Sequence, residues 1–440
     1  MGLVPTISIY VFLLILLIFS GMPIAFALGV ISIGSVIIGI GPQLLPAFAE
    51  VFWSSITDFP LSAIPLFIFM GYLFFESGLS RKIYRKISPL ISRLLPGGLM
   101  HTNIVVGAFF AACTGSSIAS TATIGTVALP EMESRGYRKD IAAGSVAAGG
   151  TLGILIPPSI TLLVYGVMTN TSIGKLFMAG VLPGIILSIA YMVYIAIRVG
   201  LNPSIIDKSQ TVAEERLPWK RCFLNFLGVW PVLIIIIGIM GSIYTGYATP
   251  TEAAAIGCLF VFILAAIHRM ISMDTLKRSV EGGLRTSCMV LFIYISAKLL
   301  GIYLSNSMIP MQLADFVLSV TSSRIVVFLL VFAMYLAMGT LMDSLAAITM
   351  TIPMTYPIIV TACGFDPIWF GVMLTMFVEC GMLTPPVGLG LFVLQSLRPN
   401  YPTALIYKGC LPFFYTLMAV ITLLIIFPKI VLFLPNMMRF

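Results

Sequence analysis

The stretch Gly149–Ser159 reads GGTLGILIPPS, and a second stretch, Glu379–Gly388, reads ECGMLTPPVG. Both lie inside otherwise apolar segments. Two consecutive prolines remove two backbone donors and the neighbouring glycines loosen the turn, so a helix that enters from either side must stop there. In a membrane interior the freed amides and carbonyls are costly unless protein, water or an ion satisfies them. The two stretches therefore predict two broken helices that line a substrate and ion site of a transporter.

The composition places the whole chain in a membrane. Of its 440 residues, 59% are hydrophobic and 9% are charged, and the mean hydropathy is +1.09, whereas an ordinary soluble domain carries roughly 25% charged residues. The apolar runs are about 17–25 residues long and do not alternate, which predicts spanning helices rather than barrel strands. The basic residues that give the chain its net charge of +8 lie in short loops, so we expect them to orient the chain in the bilayer. We expect no nucleic-acid partner.

The sequence contains no CxxC, HExxH or GxSxG motif of the kind that zinc sites and hydrolases use. The seven cysteines are scattered and form no CxxC pair, so they indicate neither a disulfide framework nor a zinc site. The two histidines, His101 and His268, fall near span ends, and HExxH and GxSxG do not occur. We therefore expect no enzyme activity. The absence of a Walker GxxxxGK[ST] motif argues against ATP as the energy source within this chain.

The apolar runs predict an all-α polytopic protein in which each half has spans, an arm, a re-entrant hairpin, a broken helix and a last span. The predicted divisions are a first repeat at 1–200, a cytoplasmic linker at 201–221 and a second repeat at 222–440. In the first repeat, scaffold spans and an arm occupy 1–100, hairpin 1 and its broken helix 101–174, and a span 175–200. In the second, scaffold spans and an arm occupy 222–305, hairpin 2 and its broken helix 323–398, and the last span 404–427.

The path also contains two polar arms and a span early in the second half. The first arm is predicted at Pro42–Phe59, and a second polar arm is predicted at Asp274–Gly283, separate from a span at Thr286–Leu304. The segment Phe223–Ile243 is predicted as a span.

The order of elements recurs at a nearly constant offset. Pro157 and Pro385 are 228 residues apart (385 − 157), and Pro183 and Pro412 are 229 apart (412 − 183). The predicted path puts 19 of the 24 Lys and Arg residues on one face, in agreement with the positive-inside rule. On this path the first repeat begins outside and the second begins inside. The sequence therefore predicts inverted-topology repeats, with both termini in the periplasm.

Five motifs in order resemble those of a known family. They read GSSIASTATIGTVALPEMESRGY, GGTLGILIPPS, YATPTEAAAIG, GTLMDSLAA and ECGMLTPPVGLGLFV. Together they resemble the large membrane subunit, of the DctM or SiaM kind, of tripartite ATP-independent periplasmic (TRAP) transporters, and the resemblance covers essentially the whole chain.

The resemblance implies an elevator-type transporter of the bacterial inner membrane, in which hairpins and broken helices slide against a scaffold. It also implies sodium symport and three partners besides the lipid bilayer. They are a small four-helix membrane subunit of the Q type, a periplasmic substrate-binding protein of the P type, and a small organic acid as substrate. Nothing before Val4 is similar to the small subunit, so we expect that subunit to be a separate chain.

Sodium prefers oxygen ligands, and these can come from carbonyls freed at a helix break together with hydroxyls of a hairpin tip. We expect two or more sodium ions. In the first repeat the candidate ligands are the carbonyls near Gly153, Ile156 and Pro158, with Ser116 and Ser117. In the second they are the carbonyls near Gly381, Thr384 and Pro386, with Gly339 and Thr340. The alternative is that these small residues only allow helices to pack closely.

Four ionisable residues are predicted at membrane depth, where each is costly and therefore a functional candidate. Asp343 follows the tip of hairpin 2 and is a candidate for sodium-ligand orientation or substrate contact. Glu379 adjoins the second break and is a second substrate candidate. Lys298 can pair with a substrate carboxylate or sulfonate, or instead snorkel or pair with a protein acid. Glu252 follows Thr249 and Pro250, which predicts a helix N-terminal cap.

The substrate class is a small organic acid, because helix N-termini beside the breaks favour an anion. Sialic-acid members of the family carry an arginine before an Ile-Pro pair where this chain reads SNSMIP, with Asn306. This difference argues against sialic acid and leaves dicarboxylates and related carboxylates or sulfonates open. A single-component sodium/carboxylate symporter of elevator type, which needs no binding protein, is the alternative function.

Overall fold

A computed structural model of the protein describes residues 3–39, 41–206, 218–321, 323–385 and 388–438. Within these ranges the secondary structure is helical, and the one β-bridge joins Tyr137 to Ile206. Eight described helical segments are long and apolar enough to cross a membrane by length and composition. They are Phe59–Glu76, Ile173–Leu201, Trp219–Tyr244, Pro250–Ile267, Met273–Asn306, Arg324–Leu341, Ser344–Ala362 and Thr403–Ile426.

The first half of the chain opens with helices that lie outside its functional centre. They are α1 (Leu3–Phe19), α2 (Ile24–Gly39), α3 (Leu45–Ile56), α4 (Ala63–Glu76) and α5 (Leu79–Leu94). Helix α3 matches the predicted first arm. Gly78, at φ 76°, ends α4 and turns the chain into α5. The basic run of the sequence forms this amphipathic helix α5, which buries Ile83 and Ile87 while Arg81 and Arg85 are exposed.

The first hairpin and the first broken helix follow in the predicted order. The hairpin consists of α6 (Leu99–Thr114) and α7 (Ser117–Ser134), the broken helix of α8 (Lys139–Thr151) and α9 (Ile160–Thr169), and the return span is α10 (Ile173–Leu201). Every residue of α8 from Asp140 to Thr151 is buried, because α6, α7 and a helix of the second half surround it. The inner end of the broken helix is therefore enclosed by protein.

The second half contains α11 (Trp219–Leu227), α12 (Trp230–Tyr244), α13 (Pro250–Ile267), α14 (Met273–Asn306) and α15 (Ile309–Val320). Hairpin 2 consists of α16 (Arg324–Leu341) and α17 (Ser344–Tyr356), which a π-helical turn extends to Ala362. The second broken helix consists of α18 (Pro367–Met382) and α19 (Leu389–Leu397), and the chain ends with α20 (Thr403–Ile426) and α21 (Lys429–Met437). Every residue of α18 from Trp369 to Met382 is buried.

The two halves interlock through their broken helices. Helix α8 packs along α20, α7 packs against α19, and α9 packs against α17. The predicted fold class is confirmed: an all-α polytopic membrane protein of inverted-topology repeats, with two helical hairpins and two broken helices. The domain boundaries remain a prediction, and residues 207–217 of the predicted linker lie outside the described residues.

The predicted second arm is wrong as a separate element. Asp274–Gly283 and Thr286–Leu304 belong to one continuous helix, the 34-residue α14. Its polar groups are satisfied without a break, since the Ser279 hydroxyl donates to the Thr275 carbonyl at 2.8 Å and Thr286 lies 2.8 Å from the Tyr72 hydroxyl. Gly282 and Gly283 lie against Tyr72 and Phe69 of α4, so these glycines accommodate a neighbouring helix rather than a turn.

The predicted span Phe223–Ile243 falls within the helical segment Trp219–Tyr244, which contains a turn near its start. Helix α11 ends at Leu227, and α12 begins at Trp230 after Gly228 and Val229. Pro231 suits the first turn of α12, where its missing N–H leaves no hydrogen bond unmade. The Gly228 amide still bonds to the Leu224 carbonyl at 3.1 Å. Helix α11 is thus a short amphipathic element ahead of α12.

Candidate cation and substrate site

The tip of hairpin 1 is short and rich in hydroxyls. Gly115, at φ 58°, ends α6, and the Ser116 side chain caps α7 by accepting a hydrogen bond from the Ala119 amide at 3.4 Å. The Thr114 and Ser120 hydroxyls lie 2.8 Å apart across the tip. The cap satisfies the first turn of α7, so the tip keeps a defined shape.

The first helix break extends from Leu155 to Ser159. It contains a cis peptide bond between Pro157 and Pro158. The Ser159 hydroxyl donates to the Ile154 carbonyl and caps α9 by accepting from the Leu162 amide, the latter at 3.2 Å. The break is therefore held by side-chain caps, and the carbonyls between α8 and α9 are released from the regular helical pattern.

Hairpin 1 contacts this break through the main chain. A Cβ placed on Gly153 would lie 2.7 Å from the Ser116 carbonyl oxygen, and one on Gly115 would lie 3.1 Å from the Pro158 carbonyl oxygen. No larger side chain fits at Gly153 without moving the hairpin backbone. Four of the five predicted first-repeat sodium residues, Ser116, Ser117, Gly153 and Pro158, thus belong to one junction. Ile156 lies in the break as well, with its side chain against Gly184 of α10, and its carbonyl stays a predicted ligand.

Three buried hydroxyls around the first break lack a hydrogen-bond partner among the described residues. They belong to Ser117 and Thr121 on α7 and to Thr161 on α9. Buried polar groups are normally paired. Ser117 adjoins the hairpin tip, Thr161 lies in the first turn of α9, and Thr121 lies against Gly150 of α8. A dehydrated cation that takes hydroxyl and carbonyl oxygens as ligands suits this junction.

Hairpin 2 contacts the second break in the same way. The Gly388 amide, which follows the break, donates to the Thr340 carbonyl at 3.1 Å. A Cβ on Gly339 would lie 2.8 Å from the Val378 carbonyl oxygen, and one on Gly381 would lie 2.6 Å from the Gly339 Cα. The predicted residues Gly339, Thr340 and Gly381 are therefore brought together at one junction.

The hydroxyls at this second junction have local partners. Thr340 donates to the Ala337 carbonyl at 2.7 Å, and Thr384 donates to the Cys380 carbonyl at 2.6 Å. Each hydroxyl oxygen keeps lone pairs that can still contact a cation. Pro386, the remaining predicted residue, lies outside the described residues.

Glu379 lies between the two breaks and is fully buried. Neither of its carboxylate oxygens has a hydrogen-bond partner among the described residues. Its polar neighbours are Thr151, at the inner end of α8, and Tyr191 on α10. The Thr151 hydroxyl donates to the Ala148 carbonyl at 2.9 Å, so it is not committed to the carboxylate. Glu379, in the last turns of α18, therefore lies near the end of α8 and is shielded from solvent.

Comparison with known proteins decides the family. Residues 11–430 match the profile of the family described as "Tripartite ATP-independent periplasmic transporter, DctM component". The chain belongs to this family. The resemblance seen in the sequence to the large membrane subunit of TRAP transporters is thus confirmed.

Individual relatives support the same assignment. The Vibrio cholerae sialic acid TRAP transporter large permease protein SiaM is 31% identical over 422 residues, which cover 96% of each chain. The Pseudomonas aeruginosa C4-dicarboxylate TRAP transporter large permease protein DctM is 32% identical over 400 residues and 90% of each chain. The isethionate TRAP transporter permease protein DctMQ of Oleidesulfovibrio alaskensis is 33% identical over 94% of this chain and 64% of its own length.

A solved structure shares the fold. The crystal structure of the Alcanivorax borkumensis YdaH transporter superposes with a TM-score of 0.62 at 13% identity, covering 89% of this chain and 91% of that one. As a DctM-type subunit, the chain is a multi-pass protein of the inner membrane and a transporter component. The family implies two protein partners, a small membrane subunit and a periplasmic binding protein.

The other predicted ionisable residues fall at different places in this DctM-type chain. Asp343, half-buried, caps α17 by accepting a hydrogen bond from the Leu345 amide at 3.2 Å, so it stands at the tip of hairpin 2. Lys298 lies on α14 with its Nζ 5.8 Å from the centre of the Tyr294 ring. The sequence predicted substrate pairing, snorkelling or pairing with a protein acid for Lys298, and did not predict this cation–π contact.

The predicted cap at Glu252 is confirmed. The Thr249 side chain accepts from the Glu252 amide at 3.3 Å, and the Glu252 carboxylate accepts from the Thr249 amide at 2.8 Å. Together they form a capping box at the start of α13. Glu252 is therefore a structural residue of the scaffold rather than part of the candidate site.

Thr121 and Thr161 were not among the predicted site residues. Thr121 stands four positions after Ser117, and this spacing places both hydroxyls on one face of α7. That signal was available in the sequence. Thr161 follows the Pro-Pro break, but only the packing of α9 shows that its hydroxyl is buried without a partner.

Proposed function

We propose that the chain performs sodium-coupled secondary active uptake of a small organic acid across the inner membrane, with substrate delivered by a periplasmic binding protein. The observation that carries the proposal is the pair of hairpin-to-break junctions, at Ser116–Gly153 and at Thr340–Gly388. Each junction offers freed carbonyls and hydroxyls to a cation, and we infer two or more sodium ions.

An anionic substrate suits the helix ends at the breaks. Helix α9 begins directly after the first break and α19 directly after the second, and helix N-termini attract negative charge. The three relatives carry names that refer to sialic acid, a C4-dicarboxylate and isethionate, and all three substrates are acids. The resemblance to the family sets Asn306 where sialic-acid members carry an arginine, and the Asn306 side chain donates to the Ile302 carbonyl of its own helix. A dicarboxylate or a related carboxylate or sulfonate is therefore our proposed substrate.

The proposed movement is of the elevator type, with both termini in the periplasm. The two hairpins and two broken helices pack on one another across the halves, through α7 with α19 and α9 with α17. Such mutual packing supports motion of this group as one body. The outer helices α2, α4, α13 and α14 pack together and form the proposed scaffold, to which we assign the small four-helix subunit.

Reconstitution distinguishes this function from a single-component symporter. The chain and its small membrane subunit are placed in proteoliposomes with an inward sodium gradient, and uptake of radiolabelled C4-dicarboxylates and isethionate is measured with and without the binding protein. We expect uptake only when the binding protein is present. Equal uptake of free substrate in its absence would assign the chain to the single-component class.

A further inference from the structure

A cavity of about 330 Å³ opens beside the N-terminus of α5, away from the helix breaks. Four basic side chains of α5 line it: Arg81, Lys82, Arg85 and Lys86. Asn225 of α11 and Gly78, the N-cap residue of α5, also line the cavity. Because no side chain caps α5, the first-turn amides add to the positive potential of the cavity.

These positive charges are not balanced by nearby acids. Among the described residues, Arg81, Lys82 and Arg85 form no ion pair, while Glu76 and Asp274 both pair with Arg278. The ammonium group of Lys86 donates to the Gly228 carbonyl at 3.0 Å.

The pKa shifts at this cavity agree with an excess of positive charge. Burial and the neighbouring charge of Lys82 lower the pKa of Lys86. Beside the cavity, burial with the charges of Lys82 and Lys86 lowers the pKa of His268, which does not line the cavity itself. Several cations around one cavity without an acid are the arrangement that an anionic ligand stabilises.

The surroundings of the cavity are those of a membrane–water interface. Helix α11 exposes Trp219, Phe223 and Leu224, and the Arg93 guanidinium lies 4.4 Å above the centre of the Trp219 ring. An amphipathic helix with exposed aromatic and aliphatic side chains lies along the interface. The basic cavity thus adjoins an apolar surface along which acyl chains can pack.

We propose that this cavity binds the phosphate-bearing headgroup of an anionic phospholipid. Lys82, Arg81 and Arg85 contact the phosphate oxygens, and the acyl chains lie along the exposed side of α11. Basic pockets between membrane helices recognise such headgroups by charge. A free phosphate offers the same oxygens without the acyl chains, so the test compares the binding of a phospholipid with that of inorganic phosphate.

The test measures lipid retention by the full-length chain in detergent. The delipidated protein is titrated with phosphatidylglycerol, phosphatidylcholine or inorganic phosphate, and bound lipid is counted by native mass spectrometry. We expect phosphatidylglycerol to bind more tightly than phosphatidylcholine. Lys82→Gln and Arg85→Gln should each weaken phosphatidylglycerol binding about fivefold, and Lys82→Arg should retain it.

Lys277→Gln is the matched control, because Lys277 is an exposed lysine on α14 that pairs only weakly with Glu281, at 3.8 Å, and does not line the cavity. It should leave phosphatidylglycerol binding unchanged. Equal binding of phosphatidylglycerol and phosphatidylcholine, or equal losses in the cavity and control variants, would overturn the proposal. If inorganic phosphate displaces phosphatidylglycerol at equal concentration, the site belongs to a free phosphate and the lipid assignment is wrong.

Discussion

At the scale of single residues, the most informative side chains are those that are buried without partners. Ser117 and Glu379 both lie beside a helix break, and none of their side-chain oxygens has a hydrogen-bond partner among the described residues. The hydroxyl is a neutral oxygen that can ligate a cation, whereas an ionised carboxylate sealed from water is strongly disfavoured unless a cation accompanies it. The role of Ser117 is therefore tested by removing its hydroxyl, and the role of Glu379 by changing the charge at its position.

Ser117→Ala should raise the sodium concentration needed for half-maximal uptake about threefold to tenfold, because it removes one proposed oxygen ligand. Thr126→Ala, on the exposed side of the same helix, removes a hydroxyl that bonds to the Ala122 carbonyl and should change nothing. Uptake measured against sodium concentration checks both. If Ser117→Ala and Thr126→Ala have the same sodium dependence as the unaltered chain, Ser117 is not a ligand.

Glu379→Gln should retain uptake within about twofold of the unaltered chain, since a neutral group of the same shape suits a buried site that offers a carboxylate neither a cation nor a hydrogen-bond donor. Glu379→Lys places an unpaired cation in the same position and should abolish uptake. Initial rates in proteoliposomes, corrected for protein amount, measure both. Loss of sodium-dependent uptake in Glu379→Gln would instead show that the carboxylate acts in its ionised form.

At the scale of elements, the sequence predicts much of the architecture for a clear physical reason. Pro-Pro pairs cannot continue a helix, so both breaks are placed correctly, and short apolar arms on either side of small residues predict both hairpins. Helix α14 was wrongly divided, because polar residues read as a surface arm can equally face other helices. The hydrogen bond of Thr286 to Tyr72 depends on a residue 214 positions away, which periodicity alone does not reveal.

The site was predicted less completely than the fold. Residues that lie near each other in sequence, such as Ser116 with Ser117, were found from the motif. The meeting of Glu379 with Thr151 and Tyr191 joins three helices, so only the packed structure shows it. The burial of the Thr161 hydroxyl likewise depends on how α9 packs after the break.

The close approach of hairpin 2 to its broken helix gives a prediction about stability. Gly339→Ala should lower the free energy of unfolding by roughly 1–3 kcal/mol, because the added methyl group would lie 2.8 Å from the Val378 carbonyl oxygen. Gly238→Ala is the matched control within α12, where a Cβ meets no atom within 4 Å. Thermal unfolding in detergent compares the two. Equal melting temperatures for both variants would contradict the close packing of hairpin 2 against α18.

At the scale of the whole molecule, the inverted repeat predicts which positions face the cytoplasm and which face the periplasm. Ser134, at the end of α7, is exposed on the predicted cytoplasmic side, and Asn170, after α9, is exposed on the predicted periplasmic side. In a background without the seven native cysteines, Ser134→Cys should react with a membrane-impermeant thiol reagent only in inside-out vesicles. Asn170→Cys should react only in intact cells. Reaction of both positions from the same side would contradict the predicted crossing of the broken helix.

The central claim is that cations at the two hairpin-to-break junctions drive uptake. The most direct test is the initial rate of uptake in proteoliposomes as a function of external sodium, with the binding protein present and ATP absent. We expect a sigmoidal dependence on sodium, because two or more ions bind per transport cycle, and no effect of added ATP. Full uptake driven by a proton gradient in sodium-free buffer would contradict the account.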